Sequence, residues 1–306
     1  MPALSVIMLT YNREKFVARA IDCIIHQTLT DYEFIIIDNG SSDKSGEIAE
    51  GYAKKDSRIS VIHRIRGNIG SGRNAGLDVA KSEYVTFIDD DDYCTNDFLE
   101  FIYKLAIENN ADVSICGTED KVFDEKIIMS AEKALVELMW RKRFNMAFPT
   151  KLFKRELINN LRFPTQGVYD DIALMYKILA LANRVAYHGL PKYTFYRHDG
   201  NTSAWTTNYT LLTPETLDEY LSEYRKRTSW LSERFPEYAS TWQYFNWSFM
   251  LSMVEKIILL DIKGCESQKV TMVHELNENK EIFLNSGLAL DFEKTRMNHY
   301  ILGVAN

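Results

Sequence analysis

Short apolar runs alternate with amphipathic stretches along the first third of the chain. Leu4 to Leu9 reads as a buried strand, and Arg13 to Gln27 as a helix whose Phe16, Val17, Ala20, Ile21, Ile24 and Ile25 recur at helical spacing. The alternation then repeats. Strands are predicted over 33–38, 59–63, 83–89 and 111–117, with helices over 43–54, 70–81 and 96–108 between them. This order predicts an α/β fold: a Rossmann-like, mostly parallel, doubly wound sheet covered on both faces, with residues 1–117 as its nucleotide-binding half.

Residues 118–207 continue the domain in a looser pattern. A helix is predicted over 130–143 with Ser130 as its cap, an apolar-to-basic strand or turn over 148–153, an amphipathic helix over 171–182, and one or two Tyr-rich strands over 184–197. From 208 to 306 aromatic residues and helix formers dominate, which predicts a C-terminal helical appendage. Aromatic residues at helical spacing are more often core, so Trp230, Trp242, Phe245, Trp247 and Phe249 are expected to pack. Acceptor binding, pairing of two subunits as a homodimer, and peripheral rest on the inner membrane face are the other readings of this tail.

The strand at Tyr84–Ile88 delivers Asp89, Asp90, Asp91 and Asp92 to its C-terminal end. Four adjacent acids repel one another at neutral pH, and a divalent cation turns that repulsion into binding. In an extended chain Asp89 and Asp91 share one face, and Asp90 and Asp92 the other. The spacing suits Mn²⁺ or Mg²⁺, which takes one or two carboxylates and completes its shell with water and phosphate oxygens. An isolated acidic run is more often a solvated loop, but in an α/β pattern ligands collect at strand C-termini.

Composition narrows the partners. A formal net charge of −7 opposes a nucleic-acid-binding surface, and 46% hydrophobic with 26% charged residues describes a globular chain. Cys23, Cys94, Cys116 and Cys265 are scattered without a CxxC pair, which fits a reducing compartment. The first residues carry neither a basic flank nor a long apolar run, so neither a signal peptide nor a spanning helix is expected, and the reading is cytoplasmic.

Three loops belong to the same strand ends as the acids. Thr10-Tyr11-Asn12-Arg13 follows the first strand, where an exposed Tyr11 can stack on a nucleobase and Asn12 can cap the next helix. Asp38-Asn39-Gly40-Ser41-Ser42-Asp43 follows the second. Asp38 can accept from a base N–H or a ribose hydroxyl, Gly40 permits the turn, and Asp43 caps the helix beyond. The segment Gly67–Gly76 opens a helix whose N-terminus favours anions, and Arg73 can pair with a phosphate. It lacks the Lys-Ser/Thr ending of a Walker loop, and the first strand lacks GxGxxG, which disfavours an ATPase or a dinucleotide enzyme.

Taken together these segments resemble, in order and spacing from residue 3 to about 103, the inverting family 2 glycosyltransferases of the GT-A fold. The resemblance implies that Thr10, Tyr11, Asp38 and Asn39 hold the nucleoside of a nucleotide-diphospho-sugar, with UDP as the expected carrier. It implies that Asp91 binds the metal with Asp89 beside it, that Asp90 touches sugar or ribose, and that Arg73 lies near the uridine or phosphates. Asp92 is expected to support the site or cap a helix. The chain departs from the family at Asn39, where a second acid is common. The amide donates as well as accepts, so the pyrimidine contact is either kept through its carbonyl oxygen or altered.

A second match covers Phe148–Arg155, Leu161-Arg162-Phe163-Pro164 and Tyr169-Asp170-Asp171, similar to the family segment that ends in an acid pair at a helix start. The resemblance implies that Asp171 is the catalytic base and that Asp170 supports it or contacts acceptor hydroxyls; the alternative is that both acids cap the helix. Tyr193, Tyr196, Arg197, His198 and Ser203 resemble the segment closing the donor site, so Arg197 or His198 would offset diphosphate charge. His26, His63 and His188 are expected to be structural.

The function expected is metal-dependent sugar transfer, with inversion, from a nucleotide-diphospho-sugar to a glycan or lipid-linked acceptor, in bacterial surface polysaccharide synthesis. A sugar-phosphate nucleotidyltransferase would place a Gly-, Arg- and Lys-containing phosphate loop where this chain has Thr10-Tyr11-Asn12-Arg13. A non-catalytic nucleotide- or sugar-binding module is opposed by the retained Asp run and the Asp170-Asp171 pair.

Overall fold

The apolar runs become strands where the pattern predicts them. In the computed structural model, which describes residues 1–119, 122–198 and 200–303, β1 (Leu4–Thr10), β2 (Tyr32–Asp38), β3 (Ile59–His63) and β4 (Tyr84–Asp89) lie parallel in the order β3-β2-β1-β4. The crossovers are α1 (Val17–Ile25), α2 (Ser45–Ala53) and α3 (Ile69–Val79). Alternate residues of β1 serve opposite faces. Leu4, Val6 and Met8 join Val17, Ile21 and Ile24 in one buried cluster. Ile7 and Leu9 meet α3, where Gly72 lets the helix close on the sheet: a Cβ there would lie 2.2 Å from Leu9 Cδ1.

The helix α1 begins later than its apolar stripe predicts. Its would-be first turn is drawn off, because the Arg13 N–H donates to Ser45 Oγ at 2.7 Å and the Glu14 N–H to Asp43 Oδ2 at 3.0 Å. Asn12 does not cap α1 either; its Oδ1 accepts the Ser42 N–H at 2.8 Å, and the residue takes a left-handed φ of 52°. The loops after β1 and β2 are thereby laced together.

The second half of the unit extends the same sheet. After β5 (Tyr93–Cys94) come α4 (Phe98–Glu108), β6 (Val113–Thr118), β7 (Phe123–Met129), α5 (Ala131–Trp140), β8 (Lys151–Lys154), α6 (Arg155–Asn159), α7 (Asp170–Leu181) and β9 (Val185–Thr194). Strand β8 inserts antiparallel between β4 and β6, and β9 lies parallel to β6 with β5 and β7 antiparallel on it. The sequence pattern gives no hint of β5 or β7. The first is two residues long, and the second, Phe-Asp-Glu-Lys-Ile-Ile-Met, is exposed over most of its length and carries no period of two. Ser130 caps α5 as predicted, accepting the Lys133 N–H.

Residues 1–196 form one compact unit and 197–303 belong to a second. The second is helical, with α8 (Pro214–Arg234), α9 (Ala239–Leu259), α10 (Glu266–Glu278), α11 (Lys280–Leu284) and α12 (Asp291–Arg296). Thr213 caps α8 and Pro214 occupies its first position. Trp242, Phe245 and Trp247 of α9 are buried, and Phe249 lies 4.2 Å from the Tyr224 ring. The buried Glu293 carboxylate accepts from the Tyr244 and Ser248 hydroxyls, each at 2.6 Å. Among the described residues, no helix is long and apolar enough to cross a membrane.

Candidate active site

The C-terminal ends of β1, β2 and β4 carry most of the candidate residues, and one cation joins them to α7. Arg73, on the first turns of α3, is 9% exposed and packs beside the rings of Phe87, Phe148 and Phe163. Its Nη1 donates to both oxygens of Asp170, at 2.8 and 2.9 Å, and its Nη2 reaches Asp89 Oδ1 at 3.3 Å. A charge buried among rings needs such partners. Burial opposes its charge, but the carboxylates of Asp170 and Asp89 outweigh burial and hold the guanidinium above its ordinary range. The residue read as a phosphate partner is thus a bridge between the first acid of the Asp run and the first acid of α7.

The segment facing Arg73 is brought there by side-chain amides. Asn74 holds Phe163 through both backbone groups, at 2.9 Å each, while Asn68 caps α3 and donates to the carbonyls of Pro164 and Gly167. Gly70 makes the approach fit, since a Cβ there would stand 2.1 Å from the Pro164 oxygen.

In the Asp run the alternation of an extended chain stops at Asp89, because Asp90 and Asp91 form a turn. Asp90 Oδ2 accepts the Tyr11 N–H at 3.3 Å, and Arg13 Nε stands 3.8 Å from Asp90 and 3.7 Å from Asp91. Asp92 is turned inward, its Oδ1 accepting the Tyr196 N–H at 2.7 Å. Arg19 donates to the Asp91 carbonyl from a nest of the Tyr93 and Tyr196 rings. Burial pushes the Asp89 carboxyl up to about 6 against the pull of Arg73. Burial and the Asp91 charge push Asp90 up to about 8, and burial with the charges of Asp89 and Asp91 does the same to Asp92.

These acids are short of positive charge, which is the condition a divalent cation relieves. Among the described residues no three acidic, His or Cys groups converge to hold an ion on their own. Asp91 and Asp89 suit a cation that draws its other ligands from water and a bound diphosphate.

At the nucleoside end, Thr10 and Asp38 are register partners on β1 and β2. The Asp38 carboxylate accepts the Ser41 N–H at 3.0 Å and faces His63 Nδ1 at 2.8 Å. Asn39 is engaged on both sides by Gly67: its Nδ2 donates to the Gly67 carbonyl at 2.7 Å and its Oδ1 accepts the Gly67 N–H at 3.3 Å. An Asp at this position could take only the second of these bonds. The Tyr11 ring carries the Arg66 guanidinium 4.3 Å from its centroid.

At α7 the two acids differ. Asp170 is buried and paired, whereas Asp171 is partly exposed with Oδ1 accepting the Ile172 N–H at 2.9 Å. Burial pushes the Asp170 carboxyl up and Arg73 draws it back. Tyr169, the residue before α7, makes no side-chain cap, and Asp171 itself accepts one of the first-turn N–H groups of the helix. Arg197 and His198 belong to the second compact unit, where the His198 N–H donates to Asn201 Oδ1 at 2.7 Å. Sequence reasoning passed over Arg13, Arg19, Arg66 and His63 as site residues. Only Arg13 carried a signal, its place in the loop after β1.

Comparison with known proteins gives this arrangement a relationship. The model of "Glycosyl transferase family 2" matches residues 5–180. The uncharacterized glycosyltransferase EpsJ of Bacillus subtilis (strain 168) is 35% identical over 176 residues, covering 53% of this chain and 51% of EpsJ. The glycosyltransferase GlyG of Streptococcus pneumoniae is 31% identical over 218 residues, 65% of this chain and 72% of GlyG. The chain thus spans about half the length of EpsJ. Among solved structures, S. aureus TarS 1–349 in complex with UDP-GlcNAc superposes with a TM-score of 0.69 at 20% identity, covering 92% of this chain and 81% of that one. The likeness shows a GT-A fold.

Removing one partner of a buried pair strands the other. Asp170→Ala is expected to lower stability by about 3–5 kcal/mol in denaturant melts, with an exposed control such as Asp31→Ala close to neutral. A pH series tests the Asp run. An acid whose native value lies above 3.8, as for Asp90 near 8, binds more protons folded than unfolded, so its contribution is present below about pH 4 and lost as pH rises through 8. In metal-free protein, Asp90→Asn should therefore raise the melting temperature at pH 8 and leave it unchanged at pH 4.

Proposed function

Because the chain belongs to glycosyltransferase family 2, we propose that it transfers a sugar from a UDP-sugar to a hydroxyl of a glycan or lipid-linked acceptor, with inversion, in surface polysaccharide assembly. The observation that carries the reading is the Arg73 bridge, which joins Asp89 at the donor end of the sheet to Asp170 at the start of α7. Asp171, next along α7 and partly exposed, then sits in the same constellation as the donor acids and takes the proton of the acceptor hydroxyl. The UDP-GlcNAc held by TarS supports a uridine donor.

Asp91 and Asp89 are the residues that would hold Mn²⁺ or Mg²⁺, and the ion would supply neutralisation of the leaving diphosphate. Asp38 accepts a ring N–H of the base, and Tyr11 offers its ring to it. Asn39, with both amide atoms engaged by Gly67, shapes the loop under the nucleoside. Asp90 contributes at the ribose or sugar.

UDP with Mn²⁺ should raise the melting temperature by several degrees, since ligand at a hundred times its Kd stabilises by about 2.7 kcal/mol. Asp91→Ala should lose that shift; its persistence, or no shift in the unaltered protein, would sink the donor site. For the base, Asp171→Asn should cut turnover by roughly 10²–10⁴ while UDP binding stays intact, and full turnover would remove Asp171 from the chemistry.

A further inference from the structure

We propose that His63 is a positioning residue for nucleotide recognition, fixing Asp38 as an acceptor for the base and coupling donor affinity to the protonation of its own ring. The inference rests on the reading that Asp38 accepts a ring N–H of the donor. His63 ends β3 as the register partner of Asp38 on β2. Its Nδ1 stands 2.8 Å from Asp38 Oδ2, and its Nε2 stands 3.1 Å from Glu50 Oε1 on α2. The other Asp38 oxygen is taken by the Ser41 N–H. Helix α2 presses on the pair through Gly46, where a Cβ would meet Asp38 Oδ2 at 2.5 Å and His63 Cε1 at 3.1 Å. The carboxylate is therefore fixed by Ser41 at one oxygen and faced by His63 at the other, with α2 packed against the pair at Gly46.

Asp38 and Glu50 are the charged groups that face the ring among the described residues. Only the imidazolium can donate to both. A neutral ring keeps one N–H, and its bare nitrogen confronts the other carboxylate. Since the His63 side chain is 52% exposed, protons exchange with solvent freely. The bond to Asp38, supported by Glu50, holds the imidazolium above the ordinary value of 6.5. A raised histidine contributes fully below about 6.5 and loses its contribution as pH rises through the raised value. Donor affinity should follow the same course.

Calorimetric titration of UDP with Mg²⁺, from about pH 6 to 8.5, reads this directly. The unaltered protein should lose affinity severalfold across that range. His63→Asn, which keeps an N–H near Asp38 without a titrating ring, should bind with near-normal affinity and lack the protein's step; subtracting its profile removes the titration of UDP itself. His63→Phe should bind about tenfold more weakly throughout, with turnover at saturating donor little changed, and Glu50→Gln should move the step to lower pH. UDP binding in which His63→Asn and the unaltered protein share one pH profile overturns the inference, even if His63→Phe fails to fold. Failure of the unaltered protein to bind UDP at any pH overturns the donor reading and this inference with it.

Discussion

Arg73 is a full charge set among three aromatic rings, and the strand ends are arranged around the need to answer it. A guanidinium suits the task because its planar fork can grip one carboxylate with one nitrogen and reach a second with another. The rings exclude water, which strengthens both contacts and makes the loss of either expensive. Asp89 and Asp170 come from segments far apart in sequence, and this one side chain sets their spacing. Geometry that would otherwise depend on loops is referred to a helix packed tightly on β1.

The loops themselves are held by side-chain amides acting as peptide surrogates. Asn39 binds both backbone groups of Gly67, and Asn74 binds both of Phe163. Asn39 does so directly after the last residue of β2, where strand pairing has ended, and Asn74 does so from helix α3, tying the loop at Phe163 to it. At position 39 the departure from a common acid thus has a local cause: the Gly67 carbonyl needs a donor, which a carboxylate cannot offer.

The fold was legible because the first unit alternates short, almost wholly apolar runs, as strands buried on both faces require, with stretches of helical period, bounded by turn residues. Strand β7 was not, since its place comes from pairing with β9 rather than from its own residues. The acids were legible as a group, since four carboxylates at a strand end announce their own electrostatics. The roles of Arg73 and His63 were not. Each depends on a partner from another element, Asp170 for one and Glu50 and Asp38 for the other, and no spacing along the chain encodes that meeting. The Asn12 cap failed for a related reason, because a hydrogen bond to the neighbouring loop outcompeted the local one.

Strand β8 is only four residues long, yet its position between β4 and β6 imposes an order of events on the growing chain. A nascent polypeptide that has emerged as far as residue 150 can build β3-β2-β1-β4, but it leaves the outer side of β4 as a bare edge with unpaired backbone groups. Arg73 then waits as well, because Asp170 lies 97 residues behind it. Closure of the sheet by β8 precedes arrival of the acid that settles the buried charge. The same bridge that fixes the site in the finished protein is therefore a late, long-range contact during synthesis, and the interval before it forms is when this unit is most exposed to mispairing and to chaperones.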